Sequence, residues 1–145
     1  MSDLLDDKPE LSFWIIGAFA LVWNLIGLVF YYSHVSMTPE ALEGFTEAQQ
    51  AFFSSTPAWA TSAYAVAVTA GVLASLFLLL RKAWAVPLFL LSLLGIVVQD
   101  LHAFVIGNGL EAWGTEGIYL PAFVLVVAIA LLVYSRGAKR KRLLT

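Results

Sequence analysis

The stretch "RKAWAVPLFLLSLLGIVVQDLHAFVIG", residues 81 to 107, decides the fold. From Ala83 to Gly107 it is long enough to cross a hydrocarbon core of about 30 Å, which takes about 20 helical residues. Two cations, Arg81 and Lys82, stand at its start, and Gln99, Asp100 and His102 interrupt it near the other end. Such a segment reads as a membrane span whose polar groups sit off-centre.

Three further runs have the same character: residues 11–33, 57–80 and 118–135. Of the 145 residues 61% are apolar and 12% charged, with a mean hydropathy of +0.86. That balance excludes a soluble domain of this length. The expected fold is therefore all-α: a polytopic membrane protein of four transmembrane helices arranged as two hairpins, forming a single domain over residues 1–145. The first run follows an acidic flank (Asp3, Asp6, Asp7, Glu10) and is too long for the apolar core of a signal peptide, so it is expected to remain as a span. The absence of cysteine excludes disulfides and thiolate metal sites.

Charge sets the expected orientation. Lys8, Arg81, Lys82 and the cations of the tail "RGAKRKR" (136–142) all fall on one side of the four spans, and the positive-inside rule makes that side cytoplasmic. Both termini are then inside, as expected for a multi-pass protein of a bacterial inner membrane. The basic tail 136–145 reads as a topology anchor with affinity for anionic lipid, and not as a nucleic-acid site. The opposite connections, 34–56 and 108–117, carry Glu40, Glu43, Glu47, Glu111 and Glu116 and no Lys or Arg.

The first outer connection has helix signals of its own. Thr38 suits an N-cap, Pro39 the first helical position and Glu40 the positive dipole end. Leu42, Phe45, Ala48 and Phe52 recur at helical spacing opposite Glu40, Glu43, Glu47 and Gln50, which predicts one amphipathic helix over about 39–54. It reads as a plain connector or as a lid over an outward-facing pocket.

Within a membrane, helices meet through small residues and a few polar ones. Gly17, Ala20, Asn24, Gly27 and Tyr31 form one stripe on the first span; Ser92, Gly95, Gln99, Ala103 and Gly107 form one arc on the third. The second span offers two such rows: Ala58, Ser62, Ala65 and Thr69, and Thr61, Tyr64, Val68, Gly71 and Ser75. The fourth is nearly all aliphatic and reads as peripheral, facing lipid or another protomer.

At about 1.5 Å per residue, Gln99, Asp100 and His102 lie in the outer third of the third span. Tyr31, His34, Ser62 and Tyr64 share that level, and Asn24 sits near the midplane. These eight residues are the candidate ligand- or ion-binding set. An acid inside a span ordinarily faces the protein interior with a partner. His34 is the expected partner of Asp100, since His102, two residues along, points elsewhere; otherwise Asp100 stays protonated as a hydrogen-bond donor. The same groups could simply bond helices together.

"LIGLVFYYSH" (25–34) and "LLGIVVQDLH" (93–102) match at Leu, Gly, Val and His with an offset of 68 residues, which would suit a parallel repeat of two hairpins. The two histidines also raise b-type haem held between His34 and His102. Phosphate loops, nucleophile elbows and HExxH motifs are absent from the sequence, so no enzymatic activity is expected.

"WNLIG" (23–27), "MTPEAL" (37–42), "STPAWATSAYAVAV" (55–68) and "LPAFVLVVA" (120–128) together resemble a family of small bacterial four-helix integral membrane proteins of uncharacterised function, often labelled "sugar transporter" automatically. The resemblance covers the whole chain. It implies a bacterial origin and four spans, and it transfers no functional residue. Two functions are expected on these grounds. One is an oligomeric carrier of a small solute or ion with an outward-facing polar site. The other is a non-catalytic accessory or assembly subunit of a larger membrane complex, whose partner would be another membrane protein.

Overall fold

A computed structural model describes residues 8–145, and these contain helices and turns but no strand. Asp3, Asp6 and Asp7 lie outside the described residues. Four long helices are present: α1 (Leu11–Val35), α4 (Ala58–Leu79), α5 (Ala85–Leu101) and α7 (Tyr119–Arg140). Three short ones, α2 (Pro39–Leu42), α3 (Glu47–Ser55) and α6 (Gly109–Trp113), occupy the connections. The four long helices are apolar and long enough to cross a membrane, α5 together with the turn that follows it to Ile106.

Helix α4 is the centre of the bundle, with α1 and α5 packed on it and α7 packed on α5. Small residues explain this position. Ala60, Ala67, Ala70, Gly71, Ala74 and Ser75 are all buried, and without bulk they let neighbouring backbones close in. Gly95 of α5 shows how close: a Cβ there would lie 2.8 Å from the Ala63 carbonyl oxygen and 3.0 Å from the Ala67 nitrogen. The expected stripe of α1 does face the bundle, with Gly17 and Ala20 buried. One of the two rows expected on α4 does not. Ala58, Ser62 and Thr69 are exposed, and the buried face is rotated toward the alanines.

The densest packing lies at the cation-bearing end. Phe13, Ala20, Ala74, Leu78, Ala85, Phe89, Leu131, Ala138 and Leu144 form one buried cluster drawn from all four long helices and the chain's last residues. Burial in α7 is confined to Leu131, Ser135 and Ala138. Its preceding half is largely exposed, in keeping with a peripheral helix.

Three expectations are corrected. First, the expected basic tail 136–145 is in part helix and in part docked on the bundle. Helix α7 runs on to Arg140, Arg142 takes a positive φ of 61° and turns the chain back, and Leu144 is buried. Thr145 donates from its backbone nitrogen to the Arg81 carbonyl oxygen (2.9 Å). Arg81 Nε donates to the Leu143 carbonyl oxygen (2.8 Å). The end of α7 is thereby tied to the turn between α4 and α5.

Second, the single outer helix over 39–54 is two. Helix α2 stops at Leu42, and α3 starts after Thr46, whose hydroxyl accepts from the Gln49 nitrogen (3.2 Å) while Gln49 Oε1 accepts from the Thr46 nitrogen (3.1 Å). This reciprocal capping box fixes a new helix start inside the amphipathic pattern. Third, the third span does not continue as α-helix to Gly107. From His102 to Ile106 the backbone widens to a π-turn, closed by the Gly107 nitrogen on the His102 carbonyl oxygen (2.6 Å).

The two acidic connections rest on each other and on the bundle. Phe45 and Phe53 pack against Trp113, with ring centroids 6.2 Å apart in both cases. Asn108 Nδ2 donates to the Ala48 carbonyl oxygen (3.1 Å). The first acidic connection is thus a cap seated on the helix ends, built on aromatic area.

Candidate functional site

Between the four long helices lies a cavity of about 270 Å³. Most of its wall is apolar, contributed by Trp23 and Phe30 of α1, Phe89 and Ile96 of α5, and Leu120 and Val124 of α7. Five polar side chains interrupt that wall: Asn24, Tyr64, Ser92, Gln99 and Asp100.

Asn24 and Ser92 form its floor. Asn24 Nδ2 donates to the Ala20 carbonyl oxygen (2.8 Å) and to Ser75 Oγ (3.2 Å). Ser75 Oγ in turn donates to the Gly71 carbonyl oxygen (2.8 Å), and Ser92 Oγ donates to the Ala67 carbonyl oxygen (2.6 Å). Gly71 is the reason these groups can meet. A Cβ there would collide with Asn24 Oδ1 and lie 3.2 Å from Ser92 Oγ. Ser75 and Ser92, which look isolated in the sequence, are drawn to one glycine from two helices. The 68-residue offset that aligns Gly27 with Gly95 also aligns Asn24 with Ser92, so equivalent positions of α1 and α5 grip α4 from two sides.

Asp100 lies about 12 Å farther along α5 than Ser92. Its carboxyl group receives no hydrogen bond from any described residue, His34 included, and it is the one formally charged side chain on the cavity wall. The expected Asp100–His34 pair does not form. His34 instead lies against Phe53 (5.2 Å between centroids) and Tyr64 (5.6 Å).

The other candidates distribute as follows. Tyr64 and Gln99 line the cavity and also a smaller one of about 40 Å³ beside it, which His34 and His102 share. His34 and Thr61 also line a third, more open hollow of about 330 Å³, together with Leu42 of α2 and Phe53 of α3. Three neighbouring hollows thus share lining residues: Tyr64 and Gln99 border the first and second, and His34 and Thr61 the second and third. Tyr31 stacks edge-on against Tyr64 (5.2 Å) outside the cavity wall. Ser62 is exposed and away from the site. His102 is buried, its ring edge-on to Trp59 (5.4 Å). Both histidines do border one cavity, but about 40 Å³ holds roughly one to three waters, so no slot for a porphyrin separates them in this conformation.

Trp23, Phe30, Phe89, Leu120 and Val124 were not candidates from sequence, because an apolar residue facing a cavity looks the same there as one facing lipid. Ser92 did carry a signal, its place on the small-residue arc of the third span. Fold and cavity together define a class: an all-helical chain with four helices able to cross a membrane and a largely apolar hollow between them. No family model, curated protein or solved structure matches it.

Proposed function

We propose that the chain is a multi-pass protein of a bacterial inner membrane that carries a small solute or ion through the cavity among its four long helices, working as an oligomer. The observation that supports this most is the gathering of Asn24, Tyr64, Gln99 and Asp100 on one cavity wall. The cation-bearing end, with both ends of the chain, faces the cytoplasm. The buried cluster at that end, around Leu78 and Ala138, supports a barrier on the cytoplasmic side.

The test is flux in vesicles reconstituted with purified protein. Asp100→Asn is expected to reduce uptake at least tenfold while the protein elutes and melts as wild type. Wild-type vesicles that move no member of a panel of small amines, metal cations and neutral solutes would overturn the proposal. The competing function, a non-catalytic accessory subunit, draws on the exposed apolar side of α7, where Phe123, Val126 and Val133 are 55–62% exposed. It predicts a stoichiometric membrane-protein partner retained in mild detergent, and a homo-oligomer isolated alone would count against it.

A further inference from the structure

We infer that the central cavity selects a small lipophilic cation, an alkyl- or arylammonium, seated with its charge at Asp100. The inference rests on the cavity being the solute site and adds the class of ligand. Three features of the wall converge on it.

The first is charge. Asp100 is the one formally charged group lining the cavity, with no Lys, Arg or His on the same wall and no hydrogen bond to its carboxyl from any described residue. An ionised carboxylate without a counter-charge in a largely apolar wall is disfavoured, and a bound cation offsets that cost. The second is the direction of the hydrogen bonds at the floor. Both Nδ2 hydrogens of Asn24 are committed to Ala20 and Ser75, and the Ser92 hydroxyl hydrogen to Ala67. Neither side chain keeps a donor hydrogen for a ligand, so an anion meets none from either. The third is aromatic area. Trp23, Phe30, Tyr64 and Phe89 all border the hollow. Ring faces attract a desolvated cation, and they also hold an apolar body. At about 270 Å³ the space is at or below the low end of drug-sized sites, which limits the ligand to a single small ring or short chain.

The probes are benzylammonium, its neutral analogue benzyl alcohol and the anion benzoate, titrated calorimetrically onto purified protein in lipid nanodiscs. Benzylammonium is expected to bind saturably at one site per chain, with benzyl alcohol and benzoate each weaker by about tenfold or more, a difference of about 1.4 kcal/mol. Asp100→Asn should weaken benzylammonium by about tenfold and leave benzyl alcohol unchanged, and Asp100→Glu should restore most of the affinity. Val124→Phe, which fills the cavity from α7, should weaken cation and alcohol alike. Equal binding of cation and alcohol, or cation binding indifferent to Asp100→Asn, overturns the inference. Flux of a neutral solute that survives Asp100→Asn overturns it while leaving the carrier function standing. Saturable benzylammonium binding without flux upholds it and overturns the carrier function instead.

Discussion

Gly71 shows what a single missing methyl group arranges. Asn24 occupies the space where its side chain would be, and from there joins α1 to Ser75. Interhelical hydrogen bonds of this kind contribute about 0.6 kcal/mol each in a membrane, so the steric part dominates. Gly71→Ala must push the Asn24 amide aside, and is expected to destabilise by about 1–3 kcal/mol, the range of overpacked cores. Thermal unfolding in detergent measures it. The same change made with Asn24→Ala already present should cost clearly less, because the closer of the two contacts is then gone and only Ser92 Oγ, at 3.2 Å, remains. Equal losses in both backgrounds would show that the glycine answers to something else. Asn24 is accordingly a helix-joining residue as well as a cavity residue, and loss of uptake on its replacement would not by itself identify a ligand contact. Asp100, which makes no such bond, is the cleaner probe.

Among the elements, α3 has the clearest local cause. Thr46 and Gln49 satisfy each other's backbone nitrogens, and the pattern Thr-x-x-Gln stands plainly in the sequence. The amphipathic period running from Leu42 through Phe52 hid it, because a three- to four-residue spacing of apolar groups continues across a break without changing. Thr46→Ala removes one side of the box, a loss of about 1 kcal/mol. Helix α3 has no buried residue, so the loss should stay local. Limited proteolysis is expected to cut residues 43–55 faster, with the melting of the bundle unmoved. A lowered bundle melting temperature would mean that the cap is part of the core. The spans themselves were legible within a few residues, since length and hydropathy are properties of a contiguous run. The rotation of α4 was not: its alanines at 60, 67, 70 and 74 compete with a serine- and threonine-bearing row for the same inference, and only the packing of α1 and α5 decides between them. The π-turn and the docking of Leu144 left no periodic trace at all.

At the scale of the molecule, charge and packing divide the bundle into two ends. The chain contains no cysteine, so single replacements report orientation cleanly. Glu111→Cys in the second acidic connection should react with a membrane-impermeant maleimide added outside intact cells, and Lys139→Cys only after lysis. The reverse pattern would invert the assignment of sides. Stability is concentrated at the cationic end, where Leu144 joins Phe13, Leu78 and Leu131 in the buried cluster. Leu144→Ala is expected to destabilise by about 2 kcal/mol, at the lower edge of values for a buried leucine. Chemical or thermal unfolding should register this, while benzylammonium affinity should hold. Unchanged melting would show that the docked end contributes nothing to the bundle.

The separation of a packed end from a hollow one has a consequence for how such a chain can change over generations. On the acidic side of the hollow the wall residues Phe30, Ile96, Leu120 and Val124 are not buried, so substitutions there can alter what is bound while leaving folding free energy in reserve. Those around Leu78 and Leu131 draw on that reserve directly. A saturating mutational scan read twice, once for abundance in the membrane and once for binding, should therefore split along the chain near Ser92 on α5 and Leu131 on α7, with tolerant and drifting positions on the acidic side of that line and constrained ones on the other.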